Sequence, residues 1–97
     1  MYTRFMIELS VKVFGRVQGV FFRQSTKDLA NQLGIFGWVK NCSDGSVEAL
    51  FQCSENQCND MLIFLRCGPP QAEVKHLEIL YQKDCTKSLE GFTILYE

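Results

Sequence analysis

The sequence predicts an α+β fold in which two helices cover one face of an antiparallel sheet. Three observations carry this. Apolar residues alternate strictly over residues 7 to 14, the period becomes helical after Phe22, and a strand–helix–strand pattern occurs twice in succession. With 97 residues, 46% of them hydrophobic and 22% charged, the chain is sized for a single domain over 1–97 built on one core.

Each element has its own signal. Ile7, Leu9, Val11 and Val13 face one way and Glu8, Ser10 and Lys12 the other, which is a half-buried strand. Phe22, Thr26, Leu29, Ala30 and Leu33 recur at helical spacing, and Gly34 stands where a helix C-cap glycine belongs. A second strand, IFGWVKNC over 35–42, is followed by the turn residues SDG and by SVEALFQC over 46–53 as its hairpin partner. Ser54 and Gln57 have capping-box spacing, and Cys58, Met61, Leu62 and Leu65 continue on one helical face until Gly68-Pro69-Pro70. Residues 74 to 82 read as a fourth strand, with Leu77, Ile79 and Tyr81 on one face and Glu78 and Leu80 on the other. A short final strand covers Phe92 to Tyr96. The order βαββαβ plus a terminal strand predicts a ferredoxin-like two-layer sandwich.

Composition excludes several functions. A net charge of -1 supplies no field for nucleic acid or anionic lipid, and the aromatic signature of RNA-binding sheets is missing. No apolar run is long enough for a membrane span or a signal peptide, so a cytoplasmic protein is expected, and the full set of fold elements favours a monomer. Cys42, Cys53, Cys58, Cys67 and Cys85 are an odd set, expected as reduced thiols. None has CxxC spacing, and His76 is the only histidine, so no metal site and no cofactor are expected.

The stretch GRVQGVFFR, residues 15 to 23, joins the first strand to the first helix. In a split βαβ unit the first two strands run parallel, so their C-terminal ends meet at one edge of the sheet. That edge gathers the loop 15 to 20, Arg23 on the first helical turn, and Asn41 at the end of the second strand. Gly15 and Gly19 permit a nest of inward N–H groups, and the helix adds the positive end of its dipole. Arg23 offers a planar fork matched to two phosphate oxygens. The side chain of Asn41 can accept from a water and donate to a phosphate oxygen. No carboxylate pair, Cys–His pair or GxxxxGK[ST] loop accompanies them. A phosphate site without base or nucleophile needs an easy leaving group, and a carboxylate, which ionises near about pH 4, is one.

At these residues the sequence resembles an acylphosphatase. GRVQGVFFR at 15–23 and GWVKNCSDGSVEA at 37–49 match that family's two signature segments in order and spacing, and the likeness runs on through GPPQAEV at 68–74 and the closing FTILY. The resemblance implies metal-free hydrolysis of a small acyl phosphate, with Arg23 as the phosphate-binding arginine and Asn41 orienting the water. Gly15, Arg16, Val17, Gln18, Gly19 and Val20 are implied as the phosphate-cradling loop. Cys42 stands where many members carry threonine, and Cys53-Ser54 replaces a frequent Gly-Pro. The competing expectation is a catalytically silent anion-binding module on the same scaffold.

Overall fold

The computed structural model describes residues 6 to 96, so both ends of the domain expected over 1–97 lie outside the described residues. Seven elements follow the expected order: β1 (Met6–Arg16), α1 (Phe22–Leu33), β2 (Phe36–Asn41), β3 (Val47–Cys53), α2 (Glu55–Cys67), β4 (Glu73–Cys85) and β5 (Phe92–Leu95). The strands form one sheet in the order β4-β1-β3-β2-β5. Among the described residues no helix is long and apolar enough to cross a membrane.

The core follows from the period-two pattern. Ladder register sets Leu9 beside Phe51, Val11 beside Ala49 and Val13 beside Val47, with Val39 on the far side of Ala49. All share one face, and Phe22, Thr26 and Ala30 of α1 close over it with Cys58, Met61 and Leu65 of α2. Burying each large apolar side chain there contributes roughly 1.5–3 kcal/mol. Helix ends fall where the sequence marks them. Gly34, left-handed at φ 70°, donates its N–H to Ala30 and Asn31. Ser54 and Gln57 close a reciprocal capping box, and the Gln57 amide donates to the Leu33 carbonyl at 2.7 Å, tying the second helix to the end of the first.

Three expectations need correction. The sheet is mixed, because β5 lies parallel to β2. β4 runs antiparallel beside β1 and ends at the pole where β1 begins. The chain then crosses to the far edge of the sheet before turning up along β2, held on the way by Gln52, which donates to Lys87 O (3.0 Å) and accepts from Leu89 N–H (2.7 Å).

In β4, Leu77 and Ile79 pair with the inward Val13 and Val11, but Tyr81 pairs with the outward Ser10. Leu80 is the extra residue of a bulge, and one inserted residue moves those after it to the other face. Tyr81 therefore sits on the helix-free side, where its hydroxyl donates to Glu8 at 2.7 Å.

Finally, Cys53 and Cys58 are joined in a disulfide, leaving Cys42, Cys67 and Cys85 as thiols. Ser54 turns the chain from the end of β3 into α2, which brings the helix's first turn back over Cys53 with the Cα atoms 5.8 Å apart.

Candidate active site

The mixed sheet has a direct consequence for the site. β1, β2 and β5 all finish at one pole, and α1 begins there. The chain leaving β1 is pinned by the buried Val17 and Val20, and Gly19 between them takes φ 74°. Among the described residues, the N–H groups of residues 18 to 20 donate to no backbone carbonyl. They stand with the open N–H groups at the start of α1, whose first turn contains no acidic residue. Such a cluster of free donors at a helix N-terminus attracts an anion.

Arg23 is the second residue of α1 and half-buried. Within the described residues its guanidinium meets the ring of Tyr96, with Cζ 5.2 Å from the ring centroid. One face of the fork is thus covered by an aromatic surface. Arg23, Gly19, Phe21, Ile94 and Tyr96 line a cavity of about 290 Å³.

Asn41 is the last residue of β2, paired with Val47 and turned toward the helix side with Val39. Its Oδ1 is, among the described residues, the one buried side-chain oxygen or nitrogen without a hydrogen-bond partner. Such an atom in a folded protein calls for an explanation. Asn41 is not part of the cavity wall that holds Arg23. It is tied to the loop through Gln18, whose amide donates to the carbonyls of Cys42 (2.8 Å) and Ser46 (2.9 Å).

The hairpin that carries Asn41 is itself braced. Cys42 N–H donates to Ser46 O at 2.8 Å, and Asp44 accepts from both the N–H and the hydroxyl of Ser46. The Ser46 hydroxyl, then its N–H, then Lys12 at 3.1 Å hold the Asp44 carboxyl down at about 2. Cys42 points to the other face, with its sulfur 3.9 Å from Glu48, so it does not adjoin the Asn41 side chain.

The remaining loop residues divide by role. Gly15 lies within β1, where a Cβ would come 2.2 Å from the Glu73 carbonyl oxygen, so its missing side chain lets β4 pass. Arg16 turns its side chain to Gln71 O (3.2 Å) and toward Glu73 (3.9 Å), leaving its main chain for the loop. The side chains of Val17 and Val20 go to the core. Sequence reasoning missed Tyr96, Ile94 and Phe21, because only the direction of β5 brings the first two to this pole. The described residues gather no group of three His, Cys, Asp or Glu side chains suited to a metal.

Comparison with known proteins converges with this geometry. The acylphosphatase family model matches residues 9–94. An acylphosphatase of Trichormus variabilis is 43% identical over 89 residues, covering 92% of this chain and 86% of that one. A solved acylphosphatase from Coxiella burnetii superposes with a TM-score of 0.82 at 33% identity, covering 93% of each chain. One from Bacillus subtilis gives 0.80 at 33% identity over 93% of this chain and 99% of its own. Sequence, topology and the order of the two signature segments agree: this chain belongs to the acylphosphatase family.

Proposed function

We propose that the protein hydrolyses a small acyl phosphate to a carboxylate and inorganic phosphate by direct attack of water on phosphorus. The open N–H groups of the loop and the start of α1 receive the phosphoryl oxygens, and Arg23 takes two of them in its fork. The Oδ1 of Asn41 accepts a hydrogen bond from the attacking water and aims a lone pair at phosphorus. The new bond forms between water oxygen and phosphorus as the bond from phosphorus to the acyl oxygen breaks. The electron pair leaves on the carboxylate, and the water proton passes to a phosphoryl oxygen. No side-chain base is required, because the leaving group is stable as an anion at neutral pH.

The observation that carries this reading is the buried, unpartnered Asn41 oxygen beside a loop of unpaired N–H donors. A silent anion-binding module would need the donors and Arg23 but would have no use for that oxygen. The test is turnover of acetyl phosphate by the purified protein, with and without chelator. Release of phosphate at the same rate in both supports the mechanism. Phosphate binding without turnover favours the silent module, and activity lost to chelator and restored by metal rejects the metal-free route. We read the protein as a monomer, because the bulges in β4 at Leu80 and Lys75 break up the edge that a second sheet would use.

A further inference from the structure

We propose that Gln52, at the pole opposite the phosphate loop, is a positioning residue for Arg23, because it fixes the crossing that brings Tyr96 onto the guanidinium. This rests on the proposed function in taking Arg23 as the phosphate anchor, and it does not require turnover.

Gln52 lies on the helix-free face of the central strand β3, paired with Glu8 of β1, and is 3% exposed. A buried amide needs partners for its oxygen and its nitrogen. Nε2 donates to Glu8 Oε1 and to Lys87 O, both at 3.0 Å, and Oε1 accepts from Leu89 N–H at 2.7 Å. Only one orientation of the amide satisfies these partners. Turned over, its oxygen would face the Glu8 carboxylate and its NH2 would face the Leu89 N–H. Glu8 is fixed in turn by the Tyr81 hydroxyl at 2.7 Å and by Lys83 at 3.6 Å. The carboxylate sets the amide, and the amide sets the crossing.

The crossing has few other anchors. Residues 86 to 91 are all exposed. Among the described residues, the segment's other bonds are from the Cys85 thiol to Lys87 O at 2.8 Å and from Gly37 N–H to Gly91 O at 3.0 Å. It passes from one edge strand of the sheet to the other, about 19 Å at the usual strand spacing. Fully extended, the chain from Cys85 to Phe92 reaches at most about 25 Å. Little slack remains, and Gln52 holds the segment near its middle. β5 follows at once, bonded to β2 alone, and the residue after it sets its ring 5.2 Å from Arg23 Cζ. Released at its middle, the crossing lets β5 shift and the ring leave the guanidinium. An unsupported fork samples more rotamers, so ordering it on phosphate costs more. Phe92 stays in the core, stacked on Phe51 at 5.7 Å, so the fold itself survives the loss.

The test uses the whole protein and inorganic phosphate. Phosphate affinity is measured calorimetrically in wild type, Gln52→Leu, Tyr96→Ala and the double variant, with urea melts to confirm folding. Gln52→Leu and Tyr96→Ala are each expected to weaken phosphate about two- to fivefold, the range of an exposed contact between a cation and a ring. In the double variant the two losses do not add, because Gln52 acts through Tyr96. A merely structural role would lower the urea midpoint and leave phosphate affinity where it was. Glu8→Gln keeps the Gln52 amide but removes the charge that orients it, and it is expected to shift affinity in the same direction. If Gln52→Leu does not fold, Glu8→Gln takes its place in the cycle. With acetyl phosphate, KM should rise by the same factor in Gln52→Leu while kcat stays within about twofold. Wild-type affinity in the folded variant, or losses that add in the double variant, overturns the positioning role. Non-additive loss of phosphate affinity in a protein that turns over no acetyl phosphate leaves the positioning role standing and refutes hydrolysis. Turnover with equal phosphate affinity across the variants does the reverse.

Discussion

Arg23 presents a planar fork with one face against Tyr96, so lysine in its place keeps a charge but loses the fork and the ring contact. Hydrogen bonds to charged groups contribute roughly 1.5–3 kcal/mol, so kcat/KM in Arg23→Lys should fall about 10- to 100-fold. Arg23→Gln should in addition weaken product inhibition by inorganic phosphate, and unchanged inhibition would remove Arg23 from the binding site. Asn41 has a different signature. If its oxygen orients the attacking water, as proposed, it acts in the transition state more than in phosphate binding, and Asn41→Ala should lower kcat about 10²–10³-fold while phosphate inhibition stays within about twofold of wild type. Denaturant melts must accompany this variant, because Asn41 ends a strand of the hairpin. A well-folded Asn41→Ala protein with wild-type kcat would refute water positioning.

At the scale of elements, the hairpin between β2 and β3 and the junction between β3 and α2 each support a separate prediction. Asp44 ionises in the folded state at about 2, below its ordinary 3.8. A depressed carboxyl stabilises the fold above its unfolded pKa and loses that support as pH falls through the folded value. The hairpin is therefore fully supported above about pH 4 and progressively released toward pH 2. Glu8 is shifted in the same direction by the Tyr81 hydroxyl and the Gln52 amide. The urea midpoint of wild type should drop as pH falls across that window, and Asp44→Asn should show a shallower drop. Because Asp44 is half-exposed, water screens the effect and a modest slope is expected.

The Cys53–Cys58 bridge closes a loop of few residues, so reduction should cost at most about 2 kcal/mol of stability. It lies at the pole where Ile7 pairs with Cys53, opposite Asn41, and kcat should not change with reductant. Urea melts and acetyl phosphate assays with and without dithiothreitol measure both.

These elements also show what the sequence made legible. Period two in Ile7–Val13, period 3.6 in Phe22–Leu33, Gly34 and the Ser54–Gln57 box are local signals, and local signals survive folding. The Leu80 bulge is not local. Ile79, Leu80 and Tyr81 are all apolar or aromatic and all well exposed on an edge strand, so burial imposes no period there. Nor does a separation of five residues announce a disulfide, which depends on the turn at Ser54. In the loop, glycine and arginine spacing pointed to an anion, but the sequence could not show that Gly15 makes way for β4 or that Arg16 turns to Gln71.

For the molecule as a whole, the decisive choice is the direction of its last strand. Had β5 paired antiparallel with β2, Ile94 and Tyr96 would have lain at the pole of the disulfide, far from Arg23. Nothing within FTIL specifies that direction; the crossing of residues 86 to 91 under Gln52 does. β5 is also only four residues long and bonded to β2 alone. A short edge strand with a single neighbour opens at low free energy compared with the central β1 and β3. Its backbone amides should accordingly exchange with deuterium early, and each opening lifts the Tyr96 ring from Arg23. If an anion seated on Arg23 binds the closed arrangement better than the open one, it stabilises that arrangement by mass action. Saturating inorganic phosphate should then slow deuterium uptake at those amides of β5 that bond to β2 and leave those of β3 unchanged. On that outcome the rim of the site is a latch, with a lifetime the ligand sets, rather than a fixed wall.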